Sequence, residues 1–217
     1  MAVIQNDSLE KGQRIAEYEV LKLIARGPCG ATYQVAQRKT GKEFALKLMQ
    51  LPPSLGVEWK QSMYAQTALL NQIKGRHIDS ILFTGETEDF IYWVKDFVHD
   101  PEGNSSSLLQ YRQRYANRLS QHQLLHILHQ TLLGLKQVWS YRDTHHEGLC
   151  HGNIKSSNIL LLEVGDGLNG QEPFEVKITD FEPYGLRTDS FYRAYAKHLQ
   201  SQSHCAEAWR GEDALEE

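Results

Sequence analysis

The chain has 217 residues, 41% of them hydrophobic and 23% charged, with a formal net charge of -4. This suits one soluble domain, or one domain short of its last part, and the slight acidity gives no electrostatic case for nucleic acid or an anionic membrane. No apolar run approaches the roughly 18–20 residues of a membrane span, and the start, M-A-V-I-Q-N-D-S-L-E, lacks the basic and apolar regions of a signal peptide.

Residues 1–16 are polar, without a clear period, and read as a loose leader. From Tyr18 the stretch Y-E-V-L-K-L-I-A alternates apolar and polar positions, as a half-buried strand does. Gly27-Pro28-Cys29-Gly30 breaks it, T-Y-Q-V-A-Q resumes the alternation, and Thr40-Gly41 turns the chain into a third strand, E-F-A-L-K-L-M. These three strands predict an antiparallel meander. After a loop with Pro52 and Pro53, Ser54 can cap a helix that ends at Gly75. Strands follow near Ile81–Thr84 and Phe90–Phe97, then a polar linker, D-P-E-G-N-S-S-S.

Beyond the linker the pattern turns helical. Ser107–Tyr115 reads as a short helix, and Ser120 with Gln123 makes a capping box for the long apolar stretch Leu124–Trp139. A loop at 151–158, the strand I-L-L-L-E-V, a glycine-rich turn and the strand F-E-V-K-I-T-D-F complete the readable part, the two strands forming a hairpin. Strands first and helices later predict an α+β fold. Cys29, Cys150 and Cys205 are too scattered for a disulfide framework and read as reduced thiols. His122, His126 and His129 share a helical spacing but lack the embedded acid of H-E-x-x-H, so they read as part of a half-buried helix.

Four short segments carry chemistry. R-G-P-C-G-A-T-Y-Q-V, between two strands, is a glycine-rich turn that lets backbone N–H groups approach phosphate oxygens. F-A-L-K ends with Lys47 on the third strand, L-C-H-G-N-I-K-S-S-N-I-L-L spans Leu149–Leu161, and K-I-T-D-F ends with Asp180 and Phe181. In this order the series resembles the protein kinase family, with its glycine-rich loop, V-A-I-K, H-R-D-x-x-x-x-N and D-F-G. The resemblance covers roughly residues 18–212.

The resemblance implies a bilobal kinase-like fold. An N-lobe over 17–98, with a hinge near Lys95–Val98, leads through a linker at 99–106 to a partial C-lobe over 107–217. It also implies ATP and Mg²⁺ as cofactors. Gly27 and Gly30 would cover the phosphates, with Ala25 at the first glycine of the motif and Thr32 at the valine that roofs the adenine. Ala45 and Lys47 match the third-strand motif, with Lys47 holding the α- and β-phosphates. His151, Lys155 and Asn158 keep their places in the catalytic loop. Lys155 would contact the γ-phosphate, Asn158 and Asp180 would hold magnesium, and Phe181 would pack under the regulatory helix.

Three departures weaken the expected reaction. Asn153 replaces the aspartate that accepts the substrate proton, and an amide cannot take a proton near neutral pH. Gln66 falls where the lysine-pairing glutamate belongs, and Glu182 replaces the glycine after Phe181, which restricts that loop. In H-C-A-E-A-W-R-G-E, Ala206 keeps its place in the A-P-E region while Glu207 and Ala208 do not. By the resemblance, the family's C-terminal helices would lie beyond the matched motifs, and without them Leu124, Leu125, Leu128, Leu132 and Leu135 are expected to form an uncovered apolar face.

Three functional readings follow. The first is a cytoplasmic pseudokinase that binds Mg-ATP and acts through a protein partner, without nucleic acid or membrane. The second is a working divergent Ser/Thr kinase, which the retained Lys47, Asn158 and Asp180 favour. The third is a kinase fragment without function.

Overall fold

The structure is a computed structural model that describes residues 9–27, 30–50, 64, 67–68, 71–87, 90–115, 119–141, 151, 153–164 and 174–181. Six strands form the first sheet: β1 (Arg14–Ile15), β2 (Tyr18–Gly27), β3 (Gly30–Gln37), β4 (Glu43–Gln50), β5 (Ile81–Glu86) and β6 (Phe90–Asp96). All its pairings are antiparallel, in the order β1-β2-β3-β4-β6-β5. The meander of β2, β3 and β4 follows from the short turns between them. β6 then enters beside β4 and leaves β5 at the edge, an order that local pattern does not encode.

Side-chain alternation divides this sheet into two faces. Tyr18, Val20, Tyr33, Val35, Phe44, Leu46, Leu48, Tyr92 and Val94 build one buried cluster. The intervening positions of the paired strands bring Thr32 beside Lys47, Lys47 beside Trp93 and Ala45 beside Lys95. The lysines therefore stand on the face away from that cluster. The leader expected over 1–16 is structured where it is described. Ile15 of β1 is buried in the cluster, and Leu9 packs on it while donating its N–H to the Tyr33 hydroxyl. Two apolar anchors are too few to produce a readable period.

The helix expected before Gly75 shows helical residues at 64, 67, 68, 71 and 72. Helix α1 (Leu108–Arg114) and helix α2 (Gln121–Ser140) both begin with a capping box, Ser107 with Gln110 and Ser120 with Gln123. The linker segment before α1 is a turn organised by Asp100, whose carboxylate accepts the N–H groups of Glu102 and Asn104 and pairs with Arg114. β7 (Ile159–Glu163) and β8 (Phe174–Ile178) form the expected hairpin after a single 3-10 turn (Ser156–Asn158).

Two connections fix the β7–β8 hairpin relative to the elements around it. The 77–79 segment runs parallel to the end of β8: Ile178 N–H donates to His77 O (3.0 Å) and Asp79 N–H to Ile178 O (3.0 Å). Beneath it, α2 packs on β8. Gln130 donates from Nε2 to Phe174 O (2.9 Å) and accepts at Oε1 from Val176 N–H (2.9 Å). Leu124, Leu125, Leu128 and Leu132 are exposed on α2, as expected, together with Trp139. Leu135 departs from that expectation, because it packs against the cluster of Ile73, Ile78, Val138 and Ile178. No helix of the described residues is long and apolar enough to cross a membrane.

Candidate functional site

β4 presents Lys47 to the cleft, and β8 delivers Thr179, Asp180 and Phe181 just past its last residue. The Lys47 ammonium pairs with Asp180 Oδ2 at 3.1 Å. Asp180 has a left-handed backbone (φ 59°), which aspartate adopts more readily than most residues. The two sides of the candidate site, about 130 residues apart in the chain, are thus joined by a direct ion pair.

A second lysine reaches the same carboxylate. Lys95 lies in β6, within the strand expected over Phe90–Phe97, and its side chain is only 9% exposed. Its ammonium donates to Thr179 Oγ1 (2.8 Å) and Asp180 Oδ1 (3.2 Å) and lies 3.6 Å from Asp79 Oδ2. Thr179 in turn donates its hydroxyl to Asp79 Oδ2 (2.6 Å). Burial alone would push Lys95 down, but the Asp180 and Asp79 carboxylates outweigh it and raise the lysine, which stays charged. Burial likewise works to raise Asp180, yet Lys47 and Lys95 hold it well below the usual carboxylate range. Asp79 is raised by burial against the opposing pull of Lys95 and the Thr179 hydroxyl.

Next to Asp180 in the chain, the ring of Phe181 packs on that of His151, with centroids 4.4 Å apart and the planes tilted by 33°. Phe181 also packs on the Ile73, Ile78, Val138 and Ile178 cluster. Burial pushes the His151 imidazole from 6.5 down to about 4. The unfolded chain therefore takes up this proton first as pH falls. The contribution of neutral His151 is full above pH 6.5 and is lost between 6.5 and about 4. Melts across that window should show a loss of up to about 3 kcal/mol from this group. His151→Phe should flatten the slope there, and equal slopes in both proteins would refute the assignment.

The loop from 153 to 158 is held by its own amides. Asn153 donates from Nδ2 to the Asp180 backbone oxygen (3.4 Å), and Asn158 donates from Nδ2 to Asn153 O (2.9 Å). The Thr179 N–H donates to Asn158 O (3.0 Å), which ties this loop to the end of β8. Asn153 thus uses its side chain as a donor, a role no carboxylate can take. Lys155 is exposed at the start of the 3-10 turn.

Asp180 and Asn158, the residues that would hold a magnesium ion, have their oxygens engaged by the protein in this arrangement. Each oxygen of Asp180 already faces a lysine ammonium, and Asn158 Oδ1 accepts the Ser157 hydroxyl at 3.3 Å. Among the described residues, no three His, Cys, Asp or Glu side chains converge as a metal-binding group; His126 instead contacts Gln130 on α2.

A family model described as the protein kinase domain matches residues 18–189. The chain belongs to the protein kinase family. Its curated relatives include the serine/threonine-protein kinase cek1 of Schizosaccharomyces pombe, 26% identical over 87% of this chain and 12% of that protein. The serine/threonine-protein kinase dkf-1 of Caenorhabditis elegans is 29% identical over 81% of this chain and 23% of its own length. The chain therefore spans less than a quarter of either relative. A crystal structure of the Mycobacterium tuberculosis PknI kinase domain superposes with a TM-score of 0.58, at 20% identity over 81% of this chain and 62% of that one. The fold is kinase-like, with an antiparallel-sheet lobe and a helical part that carries the β7–β8 hairpin.

Within this kinase domain the glycine-rich turn is described at its two ends. Gly27 pairs with Gly30 across β2 and β3, and Ala25 pairs with Thr32. Gly30 also has a structural reason to be glycine: a Cβ there would lie 1.9 Å from Leu48 O, at φ +146°. Ala45 stands beside Lys95 on the cleft face. Gln66, Gly152, Glu182 and the A-P-E-like region lie outside the described residues. Lys95, Asp79 and Thr179 were not legible as site residues. The sequence placed Lys95 only at the start of the hinge and singled out neither Asp79 nor Thr179, and only a lysine following the apolar run I-Y-W-V hints at burial.

Proposed function

We propose that this kinase domain binds ATP between β3–β4 and Asp180, performs weak or no phosphotransfer, and acts through contacts with a protein partner in the cytoplasm. The observation that carries the reading is Asn153, which stands at the position of the proton acceptor and spends its amide on the Asp180 carbonyl. In this reading Gly27, Gly30, Thr32 and Ala45 line the nucleotide, while Lys47 and Lys155 meet its phosphates. Binding of Mg-ATP in the family's usual manner would require Asp180 to leave its lysines.

A divergent Ser/Thr kinase is the second reading, favoured by the retention of Lys47, Asn158 and Asp180 together. Loss of a general base costs roughly 10²–10⁴-fold in rate, and phosphoryl transfer rests mainly on positioning and electrostatics. One experiment addresses both. Saturating ATP, about 100 times its dissociation constant, should stabilise the chain by about 2.7 kcal/mol, a rise in midpoint of roughly 5–11 °C. Phosphate transfer from labelled ATP to the chain or a generic protein substrate should remain at background. Robust transfer by the natural sequence would establish the second reading. Absence of any melting shift would sink nucleotide binding and leave a nucleotide-free scaffold or a fragment.

A further inference from the structure

Lys95 is a buried cation at the candidate nucleotide site that the family resemblance does not use. Lys47 and Asp180 are 28% and 25% exposed in their side chains, whereas Lys95 and Asp79 are 9% and 4%. Lys47, Lys95, Asp79 and Asp180 form a quartet of two positive and two negative groups, so the cluster is neutral by itself. Lys95 is fixed from behind by Asp79 and by Thr179 Oγ1, and its ammonium rests on Asp180 Oδ1.

We propose that Lys95 is a resident counter-cation for Asp180, so that ATP binding in this cleft does not require a divalent metal. The inference rests on the nucleotide-binding reading above. Phosphate oxygens arriving beside an uncompensated aspartate are repelled, and a divalent ion between them is one way to remove that repulsion. A lysine held permanently on the carboxylate is another. Lys47, the more exposed of the two, can turn toward the phosphates while it stays beside Asp180 Oδ2, and Lys95 holds Oδ1, so the quartet keeps its balance of charge. The same contacts already give each oxygen of Asp180 a cation.

The test is calorimetric titration of the 217-residue chain with ATP, once in EDTA and once in excess MgCl₂. The dissociation constants should agree within about threefold, well under 1.4 kcal/mol. A weakening of about tenfold or more in EDTA would overturn the proposal and leave ATP binding intact. Failure to bind ATP in either buffer would overturn it together with the nucleotide-binding reading. The variant Lys95→Met/Asp79→Asn removes the buried pair without orphaning a carboxylate. It should bind ATP about tenfold or more weakly in EDTA than in MgCl₂. Equal affinity of that variant in the two buffers would show that Lys95 is not the counter-cation. Should the variant fail to fold, the comparison with the natural chain decides alone.

Discussion

Replacing Lys95 with methionine is expected to lower the stability of the domain by about 3–5 kcal/mol. At roughly 2–4 °C per kcal/mol for a chain of this size, the thermal midpoint should fall by some 6–20 °C. The cost does not come from lost packing, since methionine has nearly the shape of the lysine stem. It comes from Asp79, which is left buried with its Thr179 hydrogen bond but without a cation. Removal of one partner of a buried ion pair leaves the other's desolvation uncompensated. Asp180 suffers less, because Lys47 remains at Oδ2.

The double variant Lys95→Met/Asp79→Asn should recover most of this loss, since a neutral amide can still accept the Thr179 hydroxyl. The two changes are thus strongly non-additive, and a double-mutant cycle by chemical denaturation measures the coupling directly. Simple additivity of the two single changes would show that Lys95 and Asp79 do not support one another.

The second large effect is expected at Gly30. Alanine there places a Cβ 1.9 Å from the Leu48 carbonyl oxygen, an atom of β4 that cannot swing aside as a side chain would. The φ of +146° adds conformational strain of about 1–3 kcal/mol for any residue with a Cβ. Gly30→Ala should therefore cost about 3 kcal/mol or more, through separation of β3 from β4. Gly41→Ala is the control: its φ is also positive, at +69°, but nothing lies within 4 Å of the added atom. Its cost should be about 1–2 kcal/mol. Comparable midpoints for the two variants would show that close approach to β4 is not what demands glycine at 30. The result also bears on how the glycine-rich turn is read. At Gly30, sheet packing forbids a side chain independently of any approach to phosphate.

Much of the fold was legible because it is written in local periodicity and punctuation. Alternation identified β2, β3 and β4, and the Ser120–Gln123 box marked the start of α2. The strands of the second hairpin were visible on either side of a glycine-rich turn. The leader and Leu135 were not. In the leader, Leu9 and Ile15 are isolated anchors; in α2, the stripe of leucines shows which residues are apolar but not which of them a neighbour covers.

For the site, the motifs in sequence order carried the family resemblance, which implied that Lys47, the 151–158 loop and Asp180 work together and that Asn153 replaces the proton acceptor. Those residues are recognised by their immediate neighbours along the chain. The tertiary structure alone decided that Lys95 is the second cation on Asp180 and that Asp79 stands behind it. Lys95 meets Thr179 and Asp180 across sequence separations of 84 and 85, and Thr179 meets Asp79 across 100. Strand alternation assigns a side chain to a face of the sheet. What lies over that face depends on where the 77–79 segment and β8 come together, and a buried charge has no local signature until its partner arrives.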